Sequence, residues 1–152
     1  MAMEGITHMN SIDILVVEDN DDDVVLIQEA FSEGKVINRL AVVRDGEEAM
    51  AYLRKQGVYA GAPMPGMVLS DINMPKKNGF EMLADIKADP RLRALPVIML
   101  TVSDREEDIV RSFEQGACSY IRKPVTLTRF ITVVKQFELY WSLVSQIPTL
   151  NR

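Results

Sequence analysis

The chain has 152 residues, the length of one domain, and its 47% apolar and 26% charged residues argue against an intrinsically disordered protein. Its formal net charge of -5 argues against a nucleic-acid-binding surface, because phosphate binding needs a basic face. One cysteine, Cys118, and one histidine, His8, exclude an intramolecular disulfide, a cysteine-rich or His-based metal cluster and a Ser-His triad. No apolar run approaches the roughly 18 residues of a membrane span. These features predict a soluble cytoplasmic protein.

Residues 1–11 show no helical or strand periodicity. The pair His8-Met9 is typical of a cloning remnant ahead of a natural start. We therefore expect this segment to be disordered or left from cloning. The single domain is placed at residues 12–144, with a C-terminal tail at 145–152.

From residue 12 onward, short apolar runs alternate with stretches of helical period. The runs are rich in β-branched residues and read as buried parallel strands. The expected strands are Ile12–Val17, Leu40–Val43, Met67–Leu69, Val97–Leu100 and Ser119–Arg122. The expected helices are Asp21–Ser32 ended by Gly34, Glu47–Gln56 closed by Gly57, Phe80–Ala88, a fourth that runs to Gly116, and a long one from near Thr126. This alternation predicts a (βα)5 doubly wound α/β fold, a parallel sheet covered on both faces by helices.

Two of the helix starts carry the spacing of a capping box. Asn78 stands three residues before Glu81, and Ser103 stands three residues before Glu106. We expect both pairs to cap the helices that follow them.

The strand ends carry the chemistry, since ligands bind beyond the carboxyl ends of an open parallel sheet. Glu18 and Asp19 follow the first strand, and Asp71, Thr101 and Lys123 follow the third, fourth and fifth. Three converging carboxylates repel one another, and a hard cation such as Mg2+ relieves the repulsion. A lysine and a hydroxyl nearby can hold phosphate oxygens. The central aspartate can then act as a nucleophile and become an aspartyl phosphate.

This constellation resembles the receiver domain of two-component response regulators over roughly residues 12–140. The motifs are Val-Val-Glu-Asp-Asn at 16–20, Leu-Ser-Asp-Ile-Asn-Met-Pro at 69–75, Lys-Lys-Asn-Gly at 76–79, Leu-Thr-Val-Ser at 100–103 and Tyr-Ile-Arg-Lys-Pro at 120–124. Any one of them is weak alone, whereas all of them in order are specific. The resemblance implies a flavodoxin-like five-stranded sheet in the order 2-1-3-4-5.

The resemblance also implies an acceptor and a metal site. Asp71 corresponds to the phosphorylated aspartate. Glu18 and Asp19 correspond to the acid pair that helps to hold Mg2+, and Asp71 and the backbone carbonyl of Asn73 complete the protein ligands. Glu18 stands where many receivers carry aspartate, which leaves open whether it contacts the metal directly or through water.

Three further positions match residues that respond to the phosphoryl group. Lys123 corresponds to the lysine that pairs with it, and Pro124 follows a bond that is usually cis in this family. Thr101 corresponds to the switch hydroxyl, and Tyr120 to the aromatic residue that turns inward on activation. A half-buried core tyrosine is the alternative for Tyr120, because buried tyrosines commonly find one partner.

Several segments are similar to the small stand-alone receivers that accompany bacterial phytochromes. These are residues 44–49, the Gly/Pro loop before the third strand, residues 74–79, residues 88–96 and an aromatic-rich last helix. The resemblance implies a phosphoryl group received from a histidine kinase, of phytochrome type. We expect the protein to speed its own phosphorylation and dephosphorylation without acting on an outside substrate. Its output is then a protein interaction or transfer to a downstream phosphotransfer protein.

The last helix carries apolar residues over about half of its circumference, wider than the usual core stripe of about 100°. Phe137, Tyr140 and Trp141 are typical interface anchors. We predict a two-fold homodimer that buries this helix. The alternative is a lone helix with a long core stripe that frays at its end.

Other functions use similar residues. An aspartyl-nucleophile phosphatase needs a general acid two residues after its nucleophile, where this chain has Asn73. A pseudo-receiver that acts only as a scaffold does not need the full set of acids, Thr101 and Lys123. A nucleotide-binding module needs a glycine-rich loop after the first strand, where this chain has acidic residues.

The three consecutive acids after the first strand are interpreted as an acidic first helical turn favoured by the helix dipole. These are Asp21, Asp22 and Asp23.

Overall fold

Five parallel strands form one sheet, and their order across the sheet, second-first-third-fourth-fifth along the chain, confirms the predicted order. The structure is a computed structural model that describes residues 12–34, 37–102 and 106–133. The N-terminal segment, the C-terminal tail and the anchors Phe137, Tyr140 and Trp141 lie outside these ranges. The strands are β1 (Ile12–Val17), β2 (Ile37–Val43), β3 (Met67–Asp71), β4 (Val97–Thr101) and β5 (Ser119–Arg122).

Helices cover both faces of the sheet. Side chains alternate between the faces along each strand, so both faces carry apolar residues that helices bury. The helices are α1 (Asp21–Gly34), α2 (Gly46–Leu53), α3 (Gly79–Ala88), α4 (Glu106–Glu114) and α5, which begins at residue 127 and is described to residue 133. Leu15 and Val17 pack with α2 and α3, whereas Ile14 and Val16 pack with α1 and α5. Both clusters are apolar and buried, so the predicted doubly wound fold is confirmed. Within the described ranges, no helix combines the length and apolar character needed to cross a bilayer.

Several boundaries differ from the sequence prediction. The strand β2 begins at Ile37 rather than Leu40, because parallel pairing with β1 extends to Ile12. The helix α2 ends at Leu53 rather than Gln56, since Lys55 takes a left-handed backbone conformation with φ of 56°. Gly57–Tyr59 then form a 3-10 turn inside the predicted loop. Smaller changes extend α1 to Gly34, β3 to Asp71 and β4 to Thr101, and end α4 at Glu114.

One of the two predicted capping boxes is confirmed. The Asn78 side chain accepts a hydrogen bond from the Glu81 N–H at 2.9 Å, and the Glu81 carboxylate accepts one from the Asn78 N–H at 3.0 Å. This box starts α3 directly after the loop that follows Asp71, so it fixes where that loop ends. The second box needs Ser103, which lies outside the described residues.

Gly79 lets the start of α3 lie against the backbone of the phosphoacceptor candidate. A Cβ at this position would lie 2.4 Å from the Asp71 carbonyl oxygen and 2.8 Å from the Met99 Cε. We expect Gly79→Ala to lower the free energy of unfolding by about 2 kcal/mol, because α3 must move away from β3. Urea unfolding measures the loss. The matched control is Gly61→Ala, where an added Cβ meets open space, and equal losses in the two variants would contradict the close approach.

Candidate functional site

The carboxyl ends of β1 and β3 bring three acids together. Val17 pairs with Ser70 in adjacent parallel strands, so Glu18 and Asp19 continue from β1 beside Asp71 at the end of β3. One carboxylate oxygen from each of these three acids lies within 4.8 Å of the others. The acid cluster expected from the strand ends is therefore present.

Glu18 is the innermost acid, with none of its surface exposed. Its N–H donates to the Val43 carbonyl at 3.0 Å, and its Oε2 accepts from the Asn20 N–H at 3.2 Å. The pKa of Glu18 is raised to about 7: burial is the largest cause, the Asp71 charge adds to the rise, and the hydrogen bond and charge of Lys123 oppose it. The charged form of this carboxylate is therefore stabilised by any cation that replaces its lost hydration.

Lys123 brings a buried positive charge to the same point. Its Nζ lies 2.5 Å from Glu18 Oε1 and 3.4 Å from Asp71 Oδ2, and only 8% of its side chain is exposed. Its backbone N–H donates to the Thr101 carbonyl at 2.8 Å, and its peptide bond to Pro124 is cis, as the resemblance implied. Burial lowers the lysine pKa, but the carboxylates outweigh burial and hold the pKa above its ordinary value. Lys123 is charged at neutral pH.

Asp71 lies close to the lysine and to the other two acids. It is 9% exposed, and its Oδ1 accepts a hydrogen bond from the Ile72 N–H at 2.8 Å, which fixes the rotation of the carboxylate. Burial raises its pKa, while Lys123 and the Ile72 N–H oppose the rise. A fixed, partly desolvated carboxylate beside a lysine has the placement that a nucleophile for a phosphoryl group requires.

The donor set fits a hard divalent cation. Glu18, Asp19 and Asp71 supply only oxygen ligands, and Lys123 alone cannot balance three carboxylate charges. Asn73 follows two residues after β3, in the exposed loop that leads to α3. The acid cluster can therefore hold such an ion, with its oxygen atoms already close together.

Thr101 and Tyr120 occupy the neighbouring strands. Thr101 ends β4, one residue after the pair Asp71–Leu100, and it is 5% exposed. The pairing places its hydroxyl-bearing side chain at the same sheet edge as Asp71. Tyr120 lies in β5, is half-buried, and meets the edge of the Phe113 ring at a centroid distance of 6.0 Å.

The sequence interpretation missed one member of the site. Asp23 Oδ2 accepts a hydrogen bond from Lys123 Nζ at 3.0 Å, so it is more than an acid of the first helical turn. The available signal was Asn20, whose Oδ1 caps α1 by accepting from the Asp23 N–H at 2.9 Å. The third residue after a cap directs its side chain back toward the helix start, which here faces the acid cluster. Its neighbour Asp21 instead pairs with Arg44 at 2.7 Å.

Comparisons with known proteins agree with this geometry. The family model described as "Response regulator receiver domain" matches residues 14–135. Response regulator Rcp1 of Synechocystis sp. is 38% identical over 135 residues, which cover 89% of this chain and 92% of that protein.

Two solved structures show the same likeness. The crystal structure of the phosphorylated cyanobacterial phytochrome response regulator RcpA matches with a TM-score of 0.72 and 45% identity, over 86% of this chain and 93% of that one. The Mn(2+)-bound form of Rcp1 matches with a TM-score of 0.71 and 39% identity, over 86% and 94% of the two chains. The predicted resemblance to receivers associated with phytochromes is confirmed. The chain belongs to the family of response regulator receiver domains.

Proposed function

We propose that the protein is a phosphorylation-controlled switch in which Asp71 accepts a phosphoryl group from a histidine kinase in a Mg2+-dependent reaction. The observation that carries the proposal is the position of the Asp71 carboxylate. Its Oδ2 lies 3.4 Å from the Lys123 ammonium, and one of its oxygens lies within 4.8 Å of carboxylate oxygens of Glu18 and Asp19. The lysine and a cation held by the acids can therefore both act on a phosphoryl group that approaches Asp71.

The transfer needs little beyond positioning and charge neutralisation. An Asp71 carboxylate oxygen attacks phosphorus, the bond from phosphorus to the donor's imidazole nitrogen breaks, and that nitrogen keeps the electron pair. The Ile72 N–H holds the carboxylate in place at 2.8 Å, and Lys123 neutralises charge on the phosphoryl oxygens. The Thr101 hydroxyl donates to another of those oxygens.

The metal ligands in this proposal are the carboxylates of Glu18, Asp19 and Asp71 and the backbone carbonyl of Asn73. Bound Mg2+ supplies charge neutralisation for the carboxylates and the phosphoryl oxygens. The oxygen-only acid cluster supports this ion class. The Mn(2+)-bound structure of the relative Rcp1 supports a divalent ion in the same kind of domain.

Signalling follows from the residues around the acceptor. Thr101 moves toward the phosphoryl group, and the Tyr120 ring turns inward. The edge contact of Tyr120 with Phe113, a residue that is 48% exposed, then changes the surface formed by α4 and β5. The protein acts on no outside substrate in this proposal.

The proposed phosphoryl donor is inferred from the names of the related proteins, and the other proposed partners are inferred from the sequence. The name of RcpA as a phytochrome response regulator supports a phytochrome-type histidine kinase as the phosphoryl donor. A homodimer through Phe137, Tyr140 and Trp141 rests on the sequence pattern, and a downstream phosphotransfer protein is a further candidate partner. A cytoplasmic location is part of the proposal, because the kinase draws its phosphoryl groups from cellular ATP.

Intact mass after incubation with Mg2+ and acetyl phosphate tests the proposal. We expect the parent and the control Asp22→Asn, which alters an exposed acid, to gain one phosphoryl group. We expect Asp71→Asn to gain none, and chelation of Mg2+ to abolish the gain in the parent. A phytochrome-type kinase carrying a phosphohistidine serves as the second donor. A folded parent that gains no mass would indicate a scaffold instead.

A further inference from the structure

Lys123 already has as many anionic partners as it has protons to donate. Its Nζ lies 2.5 Å from Glu18 Oε1, 3.0 Å from Asp23 Oδ2 and 3.4 Å from Asp71 Oδ2. An ammonium group offers three N–H donors. A phosphoryl oxygen that pairs with Lys123 therefore competes with these three carboxylates, of which Asp23 accepts a hydrogen bond from Nζ at 3.0 Å.

The three carboxylates differ in how easily they can be displaced. The Glu18 side chain has no exposed surface, so separating it from the lysine would leave a buried charge without compensation. Asp71 is the proposed acceptor and stays in place. The Asp23 side chain is 29% exposed in the first turn of α1, so water can hydrate it again at little cost.

We propose that Asp23 is a positioning residue. Its carboxylate accepts a hydrogen bond from Lys123 in the unphosphorylated protein, and a phosphoryl oxygen replaces it as the partner of Lys123 after phosphorylation. This inference rests on the proposed function. The contact stabilises the unphosphorylated state, and the Asp23 charge repels the incoming phosphoryl oxygens. Asp23 therefore slows phosphorylation of Asp71 by acting through Lys123.

The contact is a specific one, because the neighbouring acids of the same helical turn have other surroundings. Asp21 pairs with Arg44 at 2.7 Å, and Asp22 is exposed to solvent. Asp23 reaches Lys123 across 100 positions of sequence, so the contact joins the start of α1 to the end of β5. Asp22→Asn removes the same charge from the same turn and is the matched control.

The test measures two rate constants in the full chain with Mg2+: phosphorylation by acetyl phosphate, and hydrolysis of the phosphoprotein after the donor is removed. We expect Asp23→Asn to phosphorylate about threefold to tenfold faster than Asp22→Asn, the range of one partly exposed charged hydrogen bond. Hydrolysis should be unchanged, because the contact is already broken in the phosphorylated state. Asp23→Glu restores the carboxylate and should return the rate toward that of the parent.

The direction of the effect separates this role from a structural one. A residue needed only for folding would lower both the thermal midpoint and the phosphorylation rate when replaced. A rate for Asp23→Asn at or below that of Asp22→Asn overturns the inference and leaves the proposed function intact. Acceleration of hydrolysis by the same factor as phosphorylation also overturns it. A parent that accepts no phosphoryl group overturns both proposals.

Discussion

Lys123→Ala should lower the free energy of unfolding by about 3 kcal/mol near pH 8 without divalent cations, because it leaves buried carboxylates without their counter-charge. The lysine side chain is 8% exposed and lies within 3.4 Å of both Glu18 and Asp71. Glu18 has no exposed surface, so water cannot replace the lost ammonium without opening the site. Urea unfolding of the parent and the variant measures the difference.

The free energy of unfolding that Lys123→Ala loses should be larger at high pH than at low pH. Glu18 has a folded pKa of about 7 against an ordinary 4.5, so its contribution to stability is present at low pH and is lost as pH rises through about 7. Lys123 opposes this rise, so its removal raises the folded pKa of Glu18 further. The deficit of the variant should therefore be largest near pH 8 and shrink near pH 5, where Glu18 takes up a proton.

A matched variant distinguishes the effect of removing a buried lysine charge from the effect of removing an exposed one. Lys76→Ala removes a cation whose side chain is 65% exposed and which lies 3.8 Å from Asp45. We expect that variant to lose well under 1 kcal/mol at either pH. Mg2+ should recover part of the deficit of Lys123→Ala, since it supplies positive charge to the same acids. Equal deficits near pH 5 and pH 8 would contradict the proposed role of the buried carboxylates.

The sequence predicted which residues meet at this sheet edge more accurately than it predicted the ends of the helices. Glu18, Asp71 and Thr101 each follow an apolar run, and parallel strands carry their carboxyl ends to one edge whatever their exact length. An error of two residues in the predicted third strand, which ended at Leu69 rather than Asp71, left this edge unchanged. The approach of the acids to within 4.8 Å is a consequence of topology.

Features that depend on local backbone geometry or on one side chain were not predictable in the same way. The apolar spacing predicted a second helix over Glu47–Gln56, yet Lys55 takes the positive φ that glycine usually supplies. From the sequence, Asp23 is interpreted as an acid that the helix dipole favours in the first turn. Its contact with Lys123 depends on the angle at which α1 leaves the sheet, and the sequence pattern does not predict that angle. The conformation of a single residue decides each case, and the hydrophobic pattern carries no information about it.

Phe130→Ala should lower the free energy of unfolding by about 4 kcal/mol, the range for truncation of a fully buried phenylalanine. Phe130 has no exposed surface, and its ring centroid lies 4.4 Å from that of Phe31 in α1. The same cluster contains Ile121 and Val125, so the ring joins α5 to the end of the sheet. Phe130→Leu should lose much less, because leucine fills most of the space.

The docking of α5 also bears on the proposed reaction. The Arg129 Nη1 donates to the Arg122 carbonyl at 3.1 Å, so the start of α5 is tied to the segment that carries Lys123. Phe113→Ala is the control, since Phe113 is 48% exposed and its truncation should cost about 1 kcal/mol. A loss in Phe130→Ala no larger than in Phe113→Ala would mean that α5 is not anchored through this ring. A loss near 4 kcal/mol would mean that the helix and the segment of Lys123 are held by one core.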